Sequence, residues 1–469
     1  MFRGAAVWFG ALPIALIAGT TGIDAQAPKP GGLFSLSTCF GCQQRMPAVA
    51  GNGAGDFMTV WEGGTALVAQ GVFGRPFDPS ARPRGGDFQV QQAGRSSQPP
   101  QFDAAVATDA QGNFVIAWSS SVDDISSILA QRFDPAGTPL GSAIEVASDP
   151  SGSPTTPSDS RPAVAGTPDG GFAVAWVSLA PPSAPAGSPP RVMLQRFDST
   201  DATSGPRLQL STGLAFGDRP SVCVSATGRV VAAWTFADAF RPFEADLLGV
   251  AARRVSPGGV LIDADELEVA PAQARDAWVG VSCGRGNTFV VAWHSDQAPA
   301  TSGLDVVAQR FTRRGRAAGS TFLVNQIGDG DQRNPVVFHD AAGNFTIVWE
   351  SQSAVRPGIR GRRFAIDGTP LSSEFPILRV AKGLQLALRP AAAATSPNSF
   401  VVVWDNGNGV YGRQLTYPAN IQSGARSNLF GALPAGTAMP GARRVAKRLA
   451  GGAEEGPTTG NGQGEGGLW

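Results

Sequence analysis

Apolar and polar positions alternate along this chain in short runs, and seven of those runs close on the same phrase ending in Trp, at Trp61, Trp118, Trp176, Trp234, Trp293, Trp349 and Trp404. The intervals are 57, 58, 58, 59, 56 and 55 residues. Spacing and local chemistry recur together, which marks seven copies of one supersecondary unit and predicts a solenoid, an array or a propeller. Four residues before the Trp stands Phe57, Phe114, Phe172, Phe289, Phe345 or Phe400, with Val230 in the fourth copy. Phe, one intervening apolar residue and Trp therefore share one face of a strand at period two.

The rest of the unit follows from its turns. A Pro fourteen residues before the Trp in five copies (Pro47, Pro162, Pro220, Pro335, Pro390) opens a run of small and β-branched residues. That run predicts a first strand crowded near an axis. Two residues before the Phe position only Gly and Asn occur (Gly55, Gly112, Gly170, Gly228, Asn287, Gly343, Asn398). These residues tolerate the left-handed backbone of a bulged hairpin turn. A variable loop follows each Trp, then a third strand with phrases such as Ile128-Leu-Ala-Gln-Arg-Phe133 and Val306-Val-Ala-Gln-Arg-Phe311. A brief fourth strand ends six of the copies, as in Phe88-Gln-Val90 and Leu267-Glu-Val269.

The seventh copy stops after its third strand, Val410 to Leu415, while an unattached Phe34-Ser-Leu36 precedes the first copy. An N-terminal strand that completes the last blade removes the open edges of a ring. The expected fold is therefore all-β, a seven-bladed β-propeller of four-stranded blades spanning 28–415. A linear solenoid has no need of the displaced strand, and tandem sandwiches need more residues per unit.

Composition adds compartment and partners. Formal net charge is zero and Lys occurs only at Lys29, Lys382 and Lys447, so no basic field exists to hold nucleic acid. Met1-Phe-Arg3, the apolar run Ala5 to Ala18 and Ala25-Gln-Ala27 read as a secretory signal peptide over 1–27. That run is too short to span a bilayer, so an exported, soluble monomer without a membrane span is expected. From Thr416 the repeat is gone, and a Gly/Ala/Pro-rich, disordered tail is expected over 416–469. The four cysteines of an exported chain are expected to pair. Cys39 and Cys42 read as a local structural disulfide. Cys223 and Cys283, on first strands of neighbouring copies and at opposite parity, either bridge the two blades or stay apart.

Chemistry is sparse. The two histidines, His294 and His339, have no metal-ligand spacing, no GxSxG occurs, and Gly328-Asp-Gly-Asp331 lacks the remaining ligands of a calcium loop, so no catalytic residue, metal or cofactor is assigned. One polar feature recurs: an Arg arrives just before the first strand, at Arg45, Arg161, Arg219, Arg333 and Arg389. In a propeller these positions ring the mouth of the channel, where guanidinium groups could hold a carboxylate or sulfate. Asp159, Asp218, Asp276, Asp329 and Asp331 accompany them, and the alternative is that the arginines only tie blade to blade. The loops after the Trp open on the same face and carry Asp123, Asp124, Asp238, Arg241, Glu244, Asp246 and Asp296, a second set of candidate ligand-binding groups.

The sixth copy, Asp331-Gln-Arg-Asn-Pro-Val-Val-Phe-His-Asp-Ala-Ala-Gly-Asn-Phe-Thr-Ile-Val-Trp-Glu-Ser351, resembles a PxVAxDxxGxFVVxW repeat of bacterial exported and surface proteins. The QRFDxxG and FxVN phrases of that repeat are matched by Ala130-Gln-Arg-Phe-Asp134 and Phe322-Leu-Val-Asn325. The resemblance covers about 33–415. It implies a propeller-like exported protein and transfers no catalytic residue. The function expected is a binding scaffold for a glycan, peptide or protein. A carbohydrate-active enzyme using rim carboxylates, or a structural envelope component, are the alternatives.

Overall fold

Each Trp phrase forms the second strand of a four-stranded antiparallel sheet, and the described residues of the computed structural model form seven such sheets. The structure describes residues 27–39, 42–65, 68–90, 101–122, 125–149, 159–178, 190–211, 216–237, 248–274, 277–296, 303–381 and 388–418. Six blades run in chain order from the inner strand outward: blade 1 over 43–89, blade 2 over 101–149, blade 3 over 159–209, blade 4 over 216–274, blade 5 over 277–323 and blade 6 over 332–379. Blade 7 takes its three inner strands from Ala391–Ser396, Ser399–Asp405 and Val410–Thr416, and its outer strand is Lys29–Ser35. Leu33 lies opposite Arg413 and Phe34 opposite Gly412, so the N-terminal strand closes the ring as expected. Among the described residues no helix is long and apolar enough to cross a membrane. Residues 1–26 of the expected signal peptide 1–27 and residues 419–469 of the expected tail 416–469 lie outside the described residues.

The core consists of seven inter-blade layers. Trp118 of blade 2 packs on Met58, Val60 and Val72 of blade 1, and Trp349 of blade 6 packs on Val290, Ala292 and Val306 of blade 5. Trp61 of blade 1 meets Val401, Val403 and Val410 of blade 7, which completes the circle. All seven indoles are at most 2% exposed. Small residues let the inner strands approach. A Cβ on Gly166 would stand 2.0 Å from the Thr108 carbonyl oxygen of the neighbouring blade, and one on Gly51 would stand 2.3 Å from that of Ala394.

Blades are also tied by polar contacts at one repeat position. The Arg of the third-strand phrase donates to a turn carbonyl of the next blade: Arg132 to Asp198 at 3.0 Å, Arg196 to Pro257, Arg254 to Arg313 at 2.7 Å and Arg310 to Ile366 at 3.1 Å. Gln414 continues the series from blade 7 to Pro79 of blade 1 at 2.9 Å. The cysteines form two disulfides, Cys39–Cys42 and Cys223–Cys283. The second joins the inner strands of blades 4 and 5, with Cα atoms 5.6 Å apart.

Candidate functional site at the channel mouth

Every inner strand of blades 1 to 6 is bulged at the same place, opposite the Trp. Arg45 pairs with Glu62 and Ala48 with Val60, so Met46 and Pro47 together face Trp61 alone. The same two-for-one pairing faces Trp118, Trp176, Trp234, Trp293 and Trp349. A bulge of this kind re-aims a side chain out of the pleat. Its first residue has positive φ in all six blades, and Arg389 has it in blade 7: Met46 (53°), Asp103 (53°), Arg161 (55°), Arg219 (47°), Trp278 (51°), Asn334 (54°) and Arg389 (28°). Five of these seven, Met46, Asp103, Trp278, Asn334 and Arg389, line one axial cavity of about 270 Å³, shared by blades 1, 2, 4, 5, 6 and 7.

The bulge separates the candidate arginines into two groups. Arg161, Arg219 and Arg389 occupy its first position. The Arg219 guanidinium lies 4.0 Å from the centroid of the Trp278 ring, the Arg389 guanidinium 5.8 Å from the same ring, and Arg389 also meets Met46 Sδ. Arg161 and Arg219 both act on Asp103, so three basic groups from blades 3, 4 and 7 gather around a Trp and an Asp at the axis. Arg45 and Arg333 stand one residue earlier, outside this ring, and pair within their own blades: Arg45 Nε with Glu62 at 2.9 Å, and Arg333 with Asp331.

Behind the ring sits a second circle that sequence reasoning missed, the residue just after each Trp: Glu62, Ser119, Val177, Thr235, His294, Glu350 and Asp405. In four blades it accepts the bulge N–H of the next blade. Met46 N donates to Asp405 at 3.1 Å, Asp103 N to Glu62 at 2.8 Å, Asn334 N to His294 Nδ1 at 3.3 Å and Arg389 N to Glu350 at 3.4 Å. A fixed offset from the Trp was the available signal, and the chemical variety at that offset concealed it.

Burial sets the protonation of this layer. It holds the Asp103 carboxyl above the usual carboxylate range, with Glu62 adding to the effect and Arg161 and Arg219 opposing it. Burial likewise raises Asp405, against its bond from Met46 N and the charge of Arg389. His294 is pushed down to about 4 by burial first and then by Arg333, so it is neutral at pH 7 and free to accept at Nδ1. The carboxylates behind the ring are occupied by protein donors. Glu62 takes Arg45 and Asp103 N, while Glu350 takes Asn334 Nδ2 at 2.9 Å and Gln352 Nε2 at 2.8 Å.

Of the loop candidates, Asp296 is described, exposed at the end of the second strand of blade 5. Asp123, Asp124, Asp238, Arg241, Glu244 and Asp246 lie outside the described residues, as does Asp276, and the side chains of Asp159 and Asp218 are likewise undescribed. Asp329 accepts Ser353 Oγ at 2.8 Å, and Asp331 accepts Leu304 N at 2.9 Å besides pairing with Arg333, so both acids of the Gly-Asp-Gly-Asp turn serve the loops of blades 5 and 6. His339 contacts Ser282 Oγ at 2.8 Å between the inner strands of blades 6 and 5.

No protein-family model and no curated protein matches the sequence. Among solved structures the chain is similar to a protein of unknown function from Dyadobacter fermentans, at 12% identity and TM-score 0.48, over 83% of this chain and 99% of that one. It is also similar to the α-L-arabinanase of Penicillium chrysogenum solved with arabinobiose, at 10% identity and TM-score 0.47, over 83% and 99%. The α-L-arabinofuranosidase of Fusarium graminearum gives 10% identity and TM-score 0.46, over 84% and 100%. These likenesses concern the propeller fold alone.

Proposed function

We propose that this chain is an exported binding protein that takes an acidic sugar at the channel mouth without transforming it. The observation that carries the reading is the gathering of Arg219 and Arg389 on the Trp278 ring, beside the axial cavity and on positions that a repeated bulge turns toward the axis. An aromatic face suits the carbons of a pyranose, and guanidinium forks match a carboxylate bidentately. The buried acids behind the ring already have donors, and burial disfavours the charged form of Asp103 and Asp405. Export is supported by the paired cysteines, which belong to an oxidising compartment.

Calorimetric titration with galacturonate and with galactose tests the reading. The acid should bind saturably and more weakly as salt rises, and the neutral sugar should not bind. Equal binding of both sugars would end the carboxylate assignment. The raised Asp103 carboxyl is the feature that favours a hydrolytic alternative, since a proton donor needs such a shift. Release of reducing ends from a uronate polymer, lost in Asp103→Asn, would establish that alternative instead.

A further inference from the structure

A second basic cavity lies on blade 6, away from the bulge ring. It has a volume of about 380 Å³ and is lined by Val355, Arg356, Pro357, Arg360, Arg379 and Val380, with no acid among them. Its walls are the loop after Trp349, the start of the third strand Gly358–Phe364 and the end of the outer strand Phe375–Arg379.

The walls are fixed by the chain itself. Ser353 Oγ, held by Asp329, receives the backbone N–H of Val355 at 3.2 Å and of Arg356 at 3.0 Å. Val380 N donates to the Pro357 carbonyl at 3.0 Å. Gly358, at φ 140°, lies opposite Arg379, and a Cβ there would stand 2.1 Å from the Leu378 carbonyl oxygen, so only glycine lets the two strands close beneath the cavity.

Arg360 is the decisive residue. Its side chain is 7% exposed, and Nε donates to Glu374, whose other oxygen is taken by the N–H groups of Gln326 at 2.7 Å and Ile327 at 3.2 Å. Glu374 is therefore fully used in orienting Arg360. No acceptor among the described residues meets the two terminal nitrogens of Arg360, which lines the cavity. The side chain is otherwise buried and its Nε is fixed, so these two donors are held in place and left open to a ligand's oxygens. Arg356 and Arg379 are exposed and flank it. Three guanidinium groups less one carboxylate leave a formal charge of +2.

We propose that this cavity binds a tetrahedral oxyanion ester carried on a ring-sized group, such as the sulfate or phosphate ester of a sugar. The oxyanion would meet the Arg360 terminal nitrogens and the forks of Arg356 and Arg379, while Val355, 65% exposed, and Val380 meet the ring. The volume lies in the small-molecule range and exceeds what a bare inorganic ion fills.

Calorimetric titration of the full chain with glucose 6-sulfate, glucose 6-phosphate, inorganic sulfate and glucose tests this. At least one ester should bind saturably, at least tenfold more tightly than inorganic sulfate, and glucose should not bind. Preference between the two esters identifies the source of the oxyanion. Arg356→Gln with Arg379→Gln, both exposed, should lower ester affinity at least tenfold at unchanged melting temperature, and Arg356→Gln alone should lower it less. Arg219→Gln with Arg389→Gln should leave ester affinity as it is, which separates this site from the channel mouth. Absence of saturable ester binding, equal affinity for inorganic sulfate, or affinity that survives the double substitution would overturn the proposal.

Discussion

Two of the seven indoles sit in equivalent layers but differ in one hydrogen bond, and that difference fixes a measurable stability gap. Trp349 and Trp234 are both fully buried, each between its own blade and the one before. Trp349 Nε1 donates to Gln332 Oε1 at 3.0 Å, and Gln332, itself fully buried, is oriented by bonds from its amide nitrogen to the Gly330 and Asp329 carbonyls. Trp234 Nε1 is buried with no partner among the described residues. Replacing either by Phe removes similar ring volume, on the order of 2 kcal/mol. Trp349→Phe also leaves the Gln332 oxygen without a donor, about 1–3 kcal/mol more, whereas Trp234→Phe deletes a group that was unsatisfied already. Urea unfolding followed by far-UV circular dichroism should therefore place Trp349→Phe below Trp234→Phe by about 1–3 kcal/mol in stability. Adding Gln332→Leu to Trp349→Phe should recover part of the loss, because it removes the buried Gln332 oxygen left without a donor, while the Gly330 and Asp329 carbonyls that lose the amide nitrogen are half-buried and within reach of water. Equal midpoints for the two single variants, or a double variant weaker than Trp349→Phe, would refute the reasoning.

Other outcomes follow from the same geometry. Gly166→Ala should destabilise by about 1–3 kcal/mol in thermal or urea unfolding, because its Cβ meets a rigid carbonyl 2.0 Å away, while Gly85→Ala, with nothing within 4 Å, should be near neutral. His294 and His339 both titrate at about 4 in the folded chain against 6.5 as the ordinary value. Their folded values are depressed, so the stability they contribute is complete above pH 6.5 and is lost as pH falls toward 4, on the order of 3 kcal/mol for each. His294→Gln should flatten part of that acid limb in a series of melts across this range, and an unchanged limb would contradict the assignment. A chain beginning at Gln43 lacks the closing strand Lys29–Ser35, exposes the edge Val410–Thr416 and should aggregate or melt earlier than the full chain.

The blade count and the closing strand were legible because the Trp interval and the strand parity are written in side chains. Phe34-Ser-Leu36 and Val410 to Leu415 identified each other by what each lacked. The channel mouth was legible only in part. Arg at the residue before the Pro, as in Arg219, and Arg one residue earlier, as in Arg333, look alike in a sequence. A one-residue step at a bulge nevertheless sends them to different surroundings. The bulge itself carries no residue signature: Met46, Asp103, Trp278 and Asn334 share only a backbone conformation. Inter-blade ties were hidden differently. The Gln-Arg-Phe phrase was visible in the strands of Arg132 and Arg310, but the acceptors the two share on the next blade are backbone carbonyls, which any residue supplies, and the carboxylate of Asp201 is added for Arg132. Trp278 belonged to no repeat of tryptophans and gave no sign that it stands where other blades place Arg.

The central claim is that guanidinium groups at the bulge ring hold a carboxylate, and not merely one another or the neighbouring blades. The most direct measurement is the affinity for galacturonate, by calorimetry, of Arg219→Gln with Arg389→Gln beside the unaltered chain, with melting temperatures taken on the same samples. Affinity should fall at least tenfold, about 1.4 kcal/mol, with the melting temperature held. A lowered melting temperature with galacturonate affinity unchanged would leave these arginines as structural groups and contradict the account.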